Sequence, residues 1–277
     1  LEARPQAGNY RAGLALSLFN AGRFAEAAKE FAQAVRLIPN DPALWRGLAM
    51  SAAQTGALDV ALDAATHWLR LAPDDADAQR LHGKICAQLH FDRGMELAGQ
   101  EQNEAAIVEY QAALHADPDA PPILTNLANL YAHLERHDEA RMLYERAIAV
   151  APGYAAAHFN LGMLHLDAGR RLDAVNALGR AAACDPENGL IAAHLLFQKM
   201  HVCRWDGIEE LAQCVRAAVE RNTADIPPFI VLSMPGTTPQ LQRQCSENHS
   251  IRMNAGERPV LRSHGQPHQR LRVGYLS

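Results

Sequence analysis

The sequence predicts an all-α solenoid in which antiparallel helix pairs stack one on the next. Three observations carry this expectation. The 277 residues are 48% hydrophobic yet only 6% aromatic, and alanine supplies an unusual share, a composition suited to closely packed helices rather than sheets. Prolines recur at Pro39, Pro73, Pro118, Pro152 and Pro186, and three of the four intervals are 34 residues long. Before each proline one spacing repeats: a small residue, an aromatic or apolar residue four later, and a small or apolar residue three further on. A pair of helices cannot bury its apolar face alone, so a period of this length implies a stack.

The pairs follow in order. Ala27, Phe31 and Ala34 lead to Pro39; Ala61, Ala65 and Trp68 lead to Pro73; Ala106, Tyr110 and Ala113 lead to Pro118; Ala140, Tyr144 and Ala147 lead to Pro152; Ala174, Leu178 and Ala181 lead to Pro186. Spacings of three, four and seven place each triplet on one helical face. A leucine-small pair precedes most triplets, at Leu14-Ala15, Leu48-Ala49, Leu127-Ala128 and Leu161-Gly162, where small residues let two helices approach closely. Gly22, Gly56 and Gly169 fall where the helices of a pair turn, and the prolines close the second helices. Trp45, Trp68, Tyr110 and Tyr144 occupy packing positions and are expected in the core.

This pattern resembles the tetratricopeptide repeat over about residues 8–188. The resemblance implies a right-handed superhelix whose concave groove is lined by the first helices. The interval from Pro73 to Pro118 is 45 residues. The excess of 11 is about three helical turns, which lengthens a helix without rotating its buried face. One long first helix near 76–98 is expected, the alternative being a partial inserted helix around Asp77 to Cys86 followed by a normal pair.

Beyond Pro186 the pattern fades. Ile191 to His201 and Ile208 to Arg221 still read as helices, and Ile226-Pro227-Pro228-Phe229 then breaks any helix interior. Thr238 to Ser277 holds six arginines against two glutamates, and reads as a helix over Pro239 to Asn254, a basic irregular stretch over Arg258 to Gln269, and a strand over Leu271 to Ser277. A lone strand is incomplete, and Leu1 to Pro5 shows neither an initiator methionine nor a signal peptide, so the sequence reads as part of a longer chain. The expected division is a repeat array over 1–188, capping helices and a Pro-Pro-Phe junction over 189–237, and a basic linker with a strand over 238–277.

Val202-Cys203-Arg204-Trp205-Asp206, then Ile226-Pro227-Pro228-Phe229, then Arg270-Leu271-Arg272-Val273-Gly274-Tyr275-Leu276-Ser277 resemble the junction between repeats and catalytic domain in the O-linked N-acetylglucosamine transferases that carry tetratricopeptide repeats. The resemblance implies that the last segment opens a two-lobed glycosyltransferase domain with a UDP-sugar donor. It implies no catalytic residue and no cofactor within these 277 residues. Trp205 is expected to anchor the junction.

A binding function is expected in the groove. Asn126 and Asn160 directly precede their leucine-small pairs, with Gly13, Gly47, Asp92 and His194 at the equivalent places. The family grips extended peptides through asparagines here, since an amide offers donor and acceptor together. Asn129 and Asn160 also match positions that chaperone-binding repeats use to clamp a terminal carboxylate. That clamp needs cations, whereas the corresponding places hold Thr125, Leu190 and His194. The candidate peptide-contacting residues are therefore Asn126, Asn160, Asn129, Thr125 and Asp92, and the expected partner is a polypeptide.

Other functions find little support. The net charge of −5 gives no general attraction to nucleic acid or membranes, and no apolar run reaches the roughly 20 residues of a membrane span. Cys86, Cys184, Cys203, Cys214 and Cys245 form no Cys-x-x-Cys pair, so reduced thiols and a cytoplasmic setting are expected. His264 and His268 flank a turn without further ligands, so no metal site is expected. A scaffold without enzymatic activity is the alternative to a transferase arm.

Overall fold

The computed structural model describes residues 3–253, with side chains from Gln6 onward. The described residues are helical almost throughout: α1 (Ala3–Asn20), α2 (Phe24–Leu37), α3 (Pro42–Gln54), α4 (Leu58–Leu71), α5 (Ala76–Gly99), α6 (Asn103–Ala116), α7 (Pro121–His133), α8 (His137–Val150), α9 (Ala155–Asp167), α10 (Arg171–Cys184), α11 (Gly189–His201), α12 (Ile208–Arg221), α13 (Pro228–Ser233) and α14 (Pro239–Met253). The chain divides between Cys184 and Asp185 into two compact units. The strand expected at Leu271 to Ser277, the basic stretch from Arg258, and His264 with His268 lie outside the described residues.

The first unit is five helix hairpins, α1/α2 to α9/α10, closed by one repeated turn. A residue in the left-handed region ends each first helix: Gly22 (φ 74°), Gly56 (75°), Glu101 (61°), Glu135 (59°) and Gly169 (72°). The next residue's N–H reaches five back: Arg23 to Leu18, Ala57 to Ala52, Gln102 to Leu97, Arg136 to Tyr131 and Arg170 to His165, at 2.8–3.0 Å. These bonds satisfy carbonyls that the helix end would orphan. Glycine adopts this conformation freely, while the two glutamates accept a steric cost.

Between hairpins, the proline carbonyl emerges from a finished helix and is taken up by a side chain. Trp45 Nε1 supplies it to Pro39 at 2.7 Å, Gln79 Nε2 to Pro73 at 2.8 Å, and His158 Nε2 sits 2.9 Å from the Pro152 oxygen. These three side chains each stand six residues after their proline. At Pro118 that place holds buried Leu124, and Arg146 Nη2 from α8 donates instead, at 2.7 Å. The next helix is capped by Asp41 and Asp75, whose carboxylates accept first-turn N–H groups.

Packing follows the triplets. Ala27, Ala61, Ala106, Ala140 and Ala174 are fully buried, as are Ala34, Ala113, Ala147 and Ala181. Trp68, Tyr110 and Tyr144 are buried too, while Trp45 is half-buried and stacks on His67 at 4.3 Å between ring centres. A Cβ on Gly47 would lie 2.4 Å from the Phe31 ring, and one on Gly94 2.6 Å from Tyr110. The 24 residues of α5 form one unbroken helix, which takes up the additional residues between Pro73 and Pro118.

The second unit holds α11 to α14. Although the sequence signature has faded, α11/α12 repeats the turn: Cys203 has φ 55°, 34 residues after Gly169, and Arg204 N–H bonds to Lys199 O at 2.9 Å. Ala193, Leu196, Val215, Val219, Ile230, Val231, Leu241 and Cys245 form its core. Pro227 precedes α13 and Pro228 occupies its first turn, so the two prolines start a helix rather than interrupt one. Asn248 and Arg252 of α14 donate to Val219 O and Asn222 O at 2.9 and 2.7 Å, closing the end of α12. Trp205, expected as an anchor, is 62% exposed because it lies in the turn preceding α12.

Candidate functional site

The first helices of the hairpins place one residue each at a repeated position, eight after the preceding proline. Gly47, Asn126 and Asn160 follow Pro39, Pro118 and Pro152 in this way, and the residue eight after Pro73 is Leu81. Counting back 26 from the following proline gives the same residues in the regular repeats, but Asp92 in α5. Both counts hold, because 11 residues return within about 20° of the starting face while advancing about 16 Å along the axis. The series thus runs Gly13, Gly47 and Leu81 at one level, and Asp92, Asn126 and Asn160 at the other.

Two of the sequence-predicted asparagines come together. Asn129 Oδ1 accepts from Asn160 Nδ2 at 2.8 Å and from the Tyr144 hydroxyl at 2.6 Å, linking α7, α8 and α9. Burial raises the Tyr144 phenol pKa, with the Asp167 charge acting in the same direction, so the hydroxyl stays a donor at neutral pH. The Asn129 amide NH2 and the Asn160 carbonyl oxygen have no hydrogen bond among the described residues, and the two residues line a cavity of about 200 Å³ with Met163 and Asp167. That leaves the Asn129 NH2 as a donor group and the Asn160 oxygen as an acceptor on offer.

The other candidates lie apart. Asn126 turns its amide back to Pro122 O at 2.9 Å. Asp92 is exposed and accepts from Gln88 at 2.7 Å. Thr125 is 3% exposed with its hydroxyl unpartnered, so it faces the interior instead of the groove. Burial lowers the His194 pKa, which disfavours its charged form.

A larger cavity, about 750 Å³, lies at the other level. Gly13, Gly47 and Leu81 line it with Leu16, Met50 and Phe31. Leu16 and Met50 are 55% and 40% exposed, so the lining of this cavity is open to solvent there. Sequence reasoning misses this site because a glycine at a contact position reads as a lost contact. The signal lies in the adjacent glycine rungs, which remove side chains from one face. Among the described residues no three histidine, cysteine or acidic side chains gather as a metal site, the five cysteines are unpaired, and no helix is long and apolar enough to cross a membrane.

Family models of the tetratricopeptide repeat match residues 3–76 and 119–187. The human protein O-mannosyl-transferase TMTC1 is 26% identical over 180 residues, covering 53% of this chain and 20% of that protein. The tetratricopeptide repeat and J domain-containing co-chaperone DNJ1 of Fusarium oxysporum is 31% identical over 146 residues, covering 49% of this chain and 26% of that protein. The chain thus spans about a quarter or less of the lengths of these two curated relatives. Among solved structures, YrrB, described as a repeat protein with an unusual peptide-binding site, is 19% identical, covers 65% of this chain and 88% of its own, and superposes with a TM-score of 0.40.

Proposed function

Since the chain belongs to the tetratricopeptide repeat family over residues 3–76 and 119–187, we propose that it binds an extended polypeptide along the face bearing its repeated positions. The observation that carries this is the joined pair Asn129 and Asn160. An extended peptide offers N–H and C=O groups in alternation, and the free Asn160 oxygen and Asn129 amide can take one of each without reading a side chain. Tyr144 fixes the orientation by donating to Asn129 Oδ1, so little is lost in ordering on binding. The test is Asn129→Ala combined with Asn160→Ala. Fluorescence anisotropy should show about tenfold weaker capture of an unstructured peptide, the scale of two hydrogen bonds, with the helical circular dichroism signal kept. Equal capture by the variant overturns the assignment.

A finer reading is that the array delivers polypeptides to an attached sugar-transferring domain of the O-linked N-acetylglucosamine transferase type, using a UDP-sugar. It is supported by the three junction segments in order after the repeats, and by the human relative named a protein O-mannosyl-transferase. Calorimetric titration of UDP into this chain, and into the chain continued to its natural stop codon, tests it. Binding by the longer chain alone is expected. Binding by neither leaves the scaffold reading.

A further inference from the structure

We infer that the polypeptide held by Asn129 and Asn160 is selected for one basic side chain, lysine or arginine, whose cationic end meets the Asp167 carboxylate. The inference rests on the peptide-binding reading and adds the class of peptide. Its geometry comes from α9. Asn160, Met163 and Asp167 stand at spacings of three and seven from the first, so they share one face of that helix. Seven residues advance the axis by about 10 Å, too far for a short side chain whose backbone lies at Asn160. Met163 stands between the two, and with Leu164 it gives the 200 Å³ cavity an apolar wall. A long aliphatic stem with a charged tip matches that order of amide grip, apolar track and anion.

The fold itself gives no use for the carboxylate. Asp167 is the last residue of α9, where a negative charge opposes the helix dipole. It is exposed, and it has no hydrogen bond or ion pair among the described residues. No basic residue lines the cavity to offset it. Arg170, three residues on, acts on His165, which is turned about 160° round α9 from Asp167. Beyond the two amides, the polar side chains lining the cavity are Asp167 and Tyr144. The Tyr144 proton is given to Asn129, so both offer acceptors. An ammonium or guanidinium brings donors only, whereas an acidic side chain would set acceptors against acceptors. The corresponding places in the four earlier hairpins hold Asn20, Gln54, Gly99 and His133. The acid therefore occurs at one rung of the array, which selects a basic residue at one register and not along the whole peptide.

The experiment uses unstructured peptides of glycine and serine that differ at one central residue: arginine, its uncharged counterpart citrulline, or glutamate. Fluorescence anisotropy should show the arginine peptide binding about threefold more tightly than the citrulline peptide, the scale of one exposed ion pair, with glutamate weakest. The advantage should shrink as salt rises from about 0.05 to 0.5 M. Asp167→Asn should bring the arginine and citrulline peptides to equal affinity. Asp167→Lys should invert the order of arginine and glutamate. Both substitutions remove a charge that opposes the helix dipole, so their melting temperatures should equal or exceed that of the unaltered chain.

Four results would overturn the inference. If the three peptides bind the unaltered chain equally, or glutamate leads, the selection is wrong while peptide binding stands. If no peptide binds, the peptide-binding reading falls and the selection with it. If arginine keeps its advantage in Asp167→Asn, another group meets the cation. If both variants melt well below the unaltered chain, the carboxylate serves the fold and the argument from its placement fails.

Discussion

Ala27, Ala140 and Ala174 show how much a single methyl group decides. Each is fully buried at a helix crossing, where added volume forces the backbones apart. Leucine at any one of them should cost about 1–3 kcal/mol, read as a lower melting temperature in circular dichroism. Histidines give a second expectation. Burial holds the pKa of His165 and His194 below the ordinary value, with Arg170 also pressing on His165. The unfolded chain therefore binds protons first as pH falls, so this part of the stability is complete above about pH 6.5 and is lost on acidification towards the lowered folded pKa. Melting temperature should drop between about pH 7 and 5, and His165→Gln with His194→Gln should flatten that drop. These alanines were legible in the sequence because their spacing is rigid. Thr125 was not: threonine serves equally on a polar face or in a packed interior, and the identity of the neighbouring helix decides which.

At the scale of elements, α5 separates propensity from packing. Gly94 and Gly13 both lie inside helices, where alanine is the better helix former by about 1 kcal/mol. Gly13→Ala should gain stability of about that size, since the added methyl meets open space. Gly94→Ala should instead lose stability, because its methyl would press on the Tyr110 ring at 2.6 Å. Chemical denaturation midpoints of the two variants, moving in opposite directions, check this. The lengthened interval between Pro73 and Pro118 made an irregularity here legible, and helical phase made a long helix its simplest form. Turn chemistry was legible only where it used glycine. At Glu101, Glu135 and Cys203 the same left-handed turn is imposed by the surrounding helices, which no local propensity records.

At the scale of the whole molecule, the division between Cys184 and Asp185 has a direct test. The apolar clusters of residues 12–164 and of residues 192–245 share no member, so residues 1–184 made alone should keep their helical signal and unfold cooperatively. A molten, non-cooperative transition would show that this unit depends on residues 185–277. The array was legible because repetition multiplies a weak local signal five times. The second unit was less so, since α11 and α12 copy the backbone of a repeat without copying its residues.

The bonds that satisfy the proline carbonyls have one more consequence. An indole, a carboxamide, an imidazole and a guanidinium each serve one proline, and the guanidinium arrives from a different helix than the others. The links of this chain are therefore keyed. A shuffled version that set the link ending at Pro118 before a partner lacking Arg146 would leave that exposed carbonyl to water. Copies alike in length and outline thus differ in the donor that each brings to its joint.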